Sequence, residues 1–410
     1  MKLKPIFIFA FIFLIAAAAA GLGFWFISRP TIYTAFLSET YDTIKTNYWQ
    51  KIEDKDLIDL YLAAARVVAK QPQLVSAKDK KDLFNQLGKI VKDEATATTI
   101  ADAVLVNLPP AGKSRLYTQK LAQDLSNTVA NINPEVNHYQ ELGVDKNAAQ
   151  AEIQSSYQAK TATASAEKKQ KLDAAYQALK DTTTRQIYDT TGADPTLPYR
   201  IITDQIYYIA IQKFSPTTIQ ELTAAANASN QYPNLNTLIL DLQDNIGGAI
   251  DGLPYFLGPF IGEDQYAYQF LQQGEKEDFT TKTGWLPGLV KFKKVVVLIN
   301  QNTQSSAEVM AAVLKKYHVG VLVGTTTKGW GTVEKVFELK HQLSDQQTYS
   351  VFLVHHLTLR EDGQPIEGQG VNPDVDIRQS NWRQQLNAYF NSPELLTAVN
   401  NLFLHHSGAQ

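Results

Sequence analysis

Val295-Val296-Val297-Leu298-Ile299-Asn300-Gln301-Asn302-Thr303-Gln304-Ser305-Ser306-Ala307-Glu308-Val309-Met310 reads as an apolar strand, a polar turn and the opening of a helix. The helix continues through Val313 and Leu314 at helical spacing. A strand that feeds a helix in so few residues is the signature of an α/β core. The turn holds Ser305 near a helix N-terminus, where unpaired backbone N–H groups can support a developing negative charge. Ser305 is therefore a candidate nucleophile. The competing reading is that Ser305 or Ser306 caps the helix, with Glu308 completing a capping box.

Segments on either side repeat the strand-and-helix alternation. Residues 204–211 read as a strand, and 217–227 as a helix capped by Ser215 or Thr217. Thr237-Leu238-Ile239-Leu240-Asp241-Leu242 is an apolar run typical of a strand covered on both faces. It ends in Gln243-Asp244-Asn245-Ile246-Gly247-Gly248, and paired glycines there let the backbone approach a bound group closely. Strands are also expected at 320–324 and 347–358, with a turn at Asp362-Gly363. No metal cluster, cofactor motif or Ser-His-Asp spacing stands out. Of the core histidines, His318 reads as a helix-end residue and His341 as part of a solvated turn. His355 and His356 should face opposite sides of a strand.

The 410-residue chain is long enough for two or three domains. Its net charge of −3 gives no bulk attraction to nucleic acid. The absence of cysteine excludes disulfides, thiol nucleophiles and thiolate metal sites. Lys2 and Lys4 precede an apolar run from Ile6 to Ile27, closed by Ser28-Arg29-Pro30. That run can cross a bilayer core of about 30 Å, and the lysines favour a cytoplasmic N-terminus. A cleavable signal peptide is the rival reading, with a site among the small residues 16–21, but the run continues past them. Residues 1–30 are thus expected to be an uncleaved single-pass anchor in the cell membrane, with the bulk outside. Residues 31–130 read as a helical arm, and 381–410 as a C-terminal helical tail.

Residues 133–194 read as an antiparallel helical hairpin with Tyr157, Leu172, Tyr176 and Leu179 as core. The order Tyr139-x-x-Leu142-Gly143-Val144, Glu152-Ile153-x-x-x-Tyr157, Ala175-Tyr176-x-x-Leu179 and Arg185-x-x-Tyr188-Asp189 resembles a J-domain of the DnaJ co-chaperones. The His-Pro-Asp tripeptide of that family is absent from the central loop, residues 159–166. The resemblance therefore implies a structural or partner-binding module with no ATP-dependent chaperone as partner.

The segments from 199 to about 380, with the arm at 31–70, resemble the C-terminal processing peptidases, or tail-specific proteases. These are serine peptidases with a crotonase-like β/α core and a Ser-Lys dyad. Four motifs carry the likeness: Leu238-Ile239-Leu240-Asp241-Leu242-x-x-Asn245-x-Gly247-Gly248, Ser305-Ser306-Ala307-Glu308, Val323-Gly324-x-x-Thr327-x-Gly329-x-Gly331-Thr332-Val333, and Gly368-x-Gly370-Val371-x-Pro373-Asp374. The resemblance makes Ser305 the nucleophile and implies an oxyanion hole from the N–H groups of Gly247 or Gly248 and Ser306. The family's lysine position, 25 residues past the serine, is Trp330, and a lysine stands at 328 instead. In an extended stretch, positions 328 and 330 face the same way. Lys328, desolvated and with a lowered pKa, is then the expected general base. Gln243 and Glu334 also depart from the family pattern, and the J-like module stands where its PDZ domain usually does. The whole implies a membrane-anchored extracytoplasmic serine endopeptidase acting on protein or peptide tails, without cofactor. The alternative is an inactive relative that binds peptides or scaffolds a partner.

Overall fold

A computed structural model describes residues 31–360 and 362–407. The apolar run of the expected anchor lies outside them, and no helix among the described residues is long and apolar enough to cross a membrane. The chain divides into two compact units. One holds the described residues up to Gln119 together with Lys335–Leu353; the other holds Lys120–Glu334 together with the residues from Val354 onward.

The first unit contains helices α1 (Ile32–Asn47), α2 (Asp54–Val68), α3 (Lys80–Ile90) and α4 (Glu94–Val106). Thr31, Asp79 and Asp93 cap α1, α3 and α4 through their side chains. Such caps satisfy orphan N–H groups and are worth about 1 kcal/mol each. Tyr41, Tyr61 and Phe84 form the aromatic centre, with ring centroids 5.7–5.9 Å apart. The helical arm also contains a strand the sequence reading did not anticipate, β1 (Arg115–Thr118). It pairs antiparallel with Tyr349–Phe352. His341 is more than a solvated turn residue: the Glu39 carboxylate accepts hydrogen bonds from its N–H (2.8 Å) and the Lys340 N–H (2.8 Å), and lies 2.7 Å from its ring Nδ1.

The second unit opens with α5 (Gln119–Ala130) and four helices: α6 (His138–Leu142), α7 (Gln150–Thr161), α8 (Ala166–Leu179) and α9 (Thr182–Thr191). Helices α7 and α8 form a hairpin around buried Ile153, Leu172, Ala175 and Leu179. Tyr157 and Tyr176 are half-buried and stacked at 4.2 Å. The Tyr139 hydroxyl donates to Asp189 (2.9 Å) and accepts from Arg185 Nε (3.0 Å), which ties α6 to α9. Past this module, the N–H groups of Thr196 and Leu197 donate to the buried Glu221 carboxylate at 2.9 Å. Burial raises the Glu221 pKa, and these donors oppose the shift.

The α/β core follows: β2 (Tyr199–Ile201), β3 (Ile206–Ala210), α10 (Thr218–Ser229), β4 (Thr237–Asp241), α11 (Leu253–Ile261), β5 (Tyr266–Gln272), β6 (Glu275–Thr280), α12 (Pro287–Val290), β7 (Lys294–Ile299), α13 (Ser306–Lys316), β8 (Val321–Gly324), β9 (Thr332–Glu338), β10 (Tyr349–Leu359), β11 (Val375–Asp376), α14 (Trp382–Phe390) and α15 (Pro393–Ser407). Thr217, at the start of α10, makes no side-chain cap bond, whereas Ser215 Oγ accepts the Thr217 N–H at 3.3 Å. Six strands make one sheet in the order β11-β8-β7-β4-β3-β2, parallel except for the β2–β3 pair.

Strand alternation splits this sheet between two cores. Tyr207, Ile209, Leu238, Leu240, Val295 and Val297 face one cluster. Ile206, Tyr208, Ile239, Val296 and Leu298 face the other, which Trp382, Leu386 and Val399 of the C-terminal helices complete. Burial on both faces explains the unbroken apolar runs. Register sets Asp241 beside Leu298 and Ile299 beside Gly324, so β4, β7 and β8 end together. The loops after them converge at the carboxyl edge, where open α/β sheets place ligands.

Candidate active site

Ser305 sits at the junction of β7 and α13 with φ +57° and ψ −127°. A non-glycine residue there is strained by about 1–3 kcal/mol, and such strain is held by the surroundings. Two neighbouring loops hold its turn. Thr303 Oγ donates to the Leu242 carbonyl (2.8 Å), and the Gln304 N–H to the Asn245 carbonyl (2.9 Å). On the other side the Lys328 N–H donates to the Thr303 carbonyl (2.9 Å). Asn245 is fully buried: its amide donates to the Ile211 carbonyl at 2.6 Å, and its Oδ1 accepts the Gly247 N–H at 2.7 Å.

Half of the capping box anticipated for Ser305 and Glu308 is formed: the Ser305 N–H donates to Glu308 Oε2 at 2.9 Å. It does not consume the hydroxyl. The Glu308 N–H gives its bond to the Ser305 carbonyl at 2.8 Å, and Ser305 Oγ makes no side-chain cap hydrogen bond. Ser305 Oγ also donates no hydrogen bond to any described residue. The two readings of this serine are therefore compatible.

Glu308 does far more than cap. Its buried carboxylate accepts from Ser305 N–H (2.9 Å), Thr327 Oγ (2.5 Å), Gly329 N–H (2.7 Å) and Trp330 N–H (2.8 Å). It staples the serine turn to the 325–331 loop. Burial raises its pKa, and the four donors pull in the other direction. The sequence signal was the Ser-x-x-Glu spacing, which announced only one of these four bonds.

Glycine is required at 247. A Cβ there would lie 2.6 Å from Ser305 Cβ and 3.1 Å from Ser305 Oγ. At 248 a Cβ would meet the Phe214 carbonyl oxygen at 2.1 Å. The predicted oxyanion donors are thus sorted. Gly247 N–H is already given to Asn245. Gly248 and Ser306, by contrast, donate no backbone N–H bond to any described residue. Ser306 Oγ donates to the Gly248 carbonyl at 3.2 Å, which keeps the two residues together. Two unpaired N–H groups beside a serine hydroxyl can bind an oxyanion.

Lys328 is exposed and makes no hydrogen bond to Ser305, so the desolvated dyad expected from the sequence is not formed here. The reason is local. Gly329 has φ +79°, so residues 328–330 are turned and not extended, and the same-face argument fails. The turn exists because the N–H groups of Gly329 and Trp330 both reach Glu308. Trp330 is half-buried, with its indole N–H on Glu334 at 3.3 Å. The Lys328 backbone is nevertheless bonded to Thr303, two residues from Ser305, a separation of at most about 7 Å. Among the histidines, His318 is exposed, and the rings of His355 and His356 lie 4.1 Å apart with His356 buried and His355 half-buried. Neither they nor His341 bond to Ser305.

Residues 205–377 match peptidase family S41. A probable CtpA-like serine protease of Staphylococcus epidermidis is 31% identical over 169 residues, 41% of this chain and 33% of that protein. One from Staphylococcus aureus is 28% identical over 169 residues, 41% of this chain and 32% of its own length. The match thus spans about a third of these curated relatives. The solved photosystem II D1 C-terminal processing protease superposes with a TM-score of 0.51 over 85% of this chain and 93% of its own, at 15% identity, which is a likeness of fold. Residues 205–377 of this chain are thus similar to peptidase family S41, and CtpA-like serine proteases are among the proteins the chain resembles.

Proposed function

We propose that the chain is a membrane-anchored, extracytoplasmic serine endopeptidase that cleaves polypeptides near their C-termini. The observation that carries it is the strained Ser305, its hydroxyl free of a cap bond, beside the unpaired N–H groups of Gly248 and Ser306. In the reaction Ser305 Oγ attacks the scissile carbonyl and loses its proton to a base. The carbonyl oxygen becomes an oxyanion held by the Gly248 and Ser306 N–H groups. The base then protonates the leaving amine, and water releases the acyl group from Ser305. Lys328 is the base in this account. Its root is tied to Thr303, and its four-carbon stem can fold toward Ser305 when a bound peptide displaces water. The module at 133–194 serves as a structural or partner-binding element without an ATP-driven chaperone.

The test is cleavage of an unstructured polypeptide by the purified chain, Ser305→Ala and Lys328→Met. Loss in both variants supports the proposal. Full activity in Ser305→Ala refutes it, and full activity in Lys328→Met assigns the base elsewhere. Peptide binding without cleavage by wild type would favour a binding protein. Topology is checked by adding protease to intact cells: digestion of the core is expected, and its protection until lysis would contradict an extracytoplasmic location.

A further inference from the structure

The parallel strands β3, β4, β7 and β8 end at the edge that carries Ser305, so their amino ends make the opposite edge. Two segments meet there: 229–236, leading into β4, and 282–293, leading into β7. They are laced together. Lys291 Nζ donates to the Ser229 carbonyl at 2.5 Å and to the Tyr232 carbonyl at 3.4 Å, and the Lys293 N–H donates to the Asn236 carbonyl at 2.9 Å. The inward residues are spent on packing. Leu289 and Phe292 lie in the core, and a Cβ on Gly288 would stand 1.9 Å from the Ala226 carbonyl oxygen of α10. The outward residues are apolar or cationic. Trp285 is 65% exposed, Val290 48% and Tyr232 46%, with Pro287 exposed among them. Lys282 and Lys293 are exposed, and Lys291 is half-buried. From 229 to 236 and from 282 to 294 the chain holds four lysines and no acidic residue. Acidic side chains stand only at the margins: Asp204 ahead of β3, and Glu263 and Asp264 after Gly262, where an added Cβ would lie 3.0 Å from the Trp285 ring.

We propose that this edge lies against an anionic bilayer, with Trp285 and Tyr232 at headgroup level and the lysines on the lipid phosphates. Exposed Trp and Tyr beside unopposed lysines suit a membrane–water interface. A protein partner fits less well, because the centre of a protein interface is depleted in lysine. The proposal rests on the membrane-anchored location of the proposed function. The apolar run of the expected anchor ends at Ile27, and the described fold begins at Thr31. A domain on so short a tether meets the bilayer at an effective concentration in the millimolar range, so a patch of few side chains suffices. The proposal also constrains the substrate. The six residues of β7 span about 20 Å, and Ser305 follows their far end. The serine then opens about 20 Å from the headgroups, and segments that project that far from the bilayer are the ones cut.

The chain has no cysteine, so single cysteines can report position. Gly284→Cys lies on the patch, where an added Cβ meets nothing within 4 Å, and Gln301→Cys is exposed at the serine edge. Each full-length variant carries an environment-sensitive dye and is reconstituted in vesicles of equal parts phosphatidylcholine and phosphatidylglycerol. Spin-labelled lipid should quench the dye at 284 and leave the dye at 301 bright. Lys293→Gln should lower the ratio of docked to undocked chain about fivefold, the worth of one lysine at an anionic surface. Trp285→Ala should lower it further, with the urea midpoint of both variants at the wild-type value because the side chains are exposed. Equal quenching at 284 and 301 overturns the proposal. So does quenching at 284 that survives Trp285→Ala combined with Lys293→Gln, or shielding of 284 that needs a second protein. Release of the chain by carbonate washing would sink the anchor and not the patch. The labelled chain is then added to preformed vesicles of the same lipids, and an unquenched dye at 284 overturns the proposal there as well.

Discussion

Gly247→Ala should inactivate the site while leaving the fold intact. The added Cβ would stand 2.6 Å from Ser305 Cβ and 3.1 Å from Ser305 Oγ. An ordinary carbon–carbon contact needs about 3.5–4.0 Å, so something must retreat by about 1 Å. Neither side yields easily. Ser305 is fixed through Glu308 and the neighbouring Gln304, and Gly247 is held by Asn245 and by its own carbonyl, which accepts the Phe214 N–H at 2.9 Å. Alanine at φ +90° adds backbone strain of about 1–2 kcal/mol. Overpacking adds about 1–3 kcal/mol. The sum, about 2–5 kcal/mol, is felt as a lower denaturation midpoint and is survivable in a unit of this size. The kinetic effect is larger in proportion, because a 1 Å displacement of a reacting group costs about 100-fold. Equilibrium urea unfolding and peptide cleavage, run on the same preparation, separate the two. A variant with wild-type kcat/KM and an unchanged midpoint would refute the packing of Gly247 against the serine.

Glu308→Gln should lose two of the four carboxylate bonds, because an amide cannot accept on both arms; the cost is about 3–6 kcal/mol from charged hydrogen bonds, read as a fall in the unfolding midpoint together with loss of cleavage. Asn245→Ala leaves the Gly247 N–H and the Ile211 carbonyl without partners and should cost about 2–4 kcal/mol by the same measurement. Burial raises the Glu221 pKa, so the unfolded chain gives up this proton at lower pH than the folded one. Stability from this group is therefore highest in acid and falls as pH rises from about 4.3 through the raised value; the wild-type minus Glu221→Gln difference in unfolding free energy should show that fall, and a flat difference would contradict it. Addition of this chain should not accelerate ATP hydrolysis by an Hsp70-type chaperone, since the 162–165 connection between α7 and α8 contains no His-Pro-Asp.

The parallel sheet was legible because its strands are buried on both faces, which leaves apolar runs such as 237–242 that nothing interrupts. The serine turn and the glycine pair were legible for a related reason: each follows such a run directly. The hairpin of β5 and β6 was missed. Glu275-Lys276-Glu277-Asp278 is exposed throughout and carries no alternation, and only the positive φ angles of Gln273 and Gly274 mark its turn. Residues 335–353 belong with the first unit through partners such as Glu39 and Glu94, about 250 to 300 positions away, which no local pattern announces. The shared facing of Lys328 and Trp330 was not legible because the i, i+2 rule assumes an extended backbone, and Gly329 turns it. That turn is imposed by Glu308, whose place in the loop network depends on the tertiary fold.

Acid quenching of the chain during turnover of an activated peptidyl ester, followed by mass mapping, tests the central claim most directly. An ester demands little from the base, so it isolates the nucleophile and its oxyanion donors. The account predicts one acyl adduct, on the peptide that contains Ser305, absent from Ser305→Ala. An adduct at another residue, or the same adduct persisting in Ser305→Ala, would contradict it.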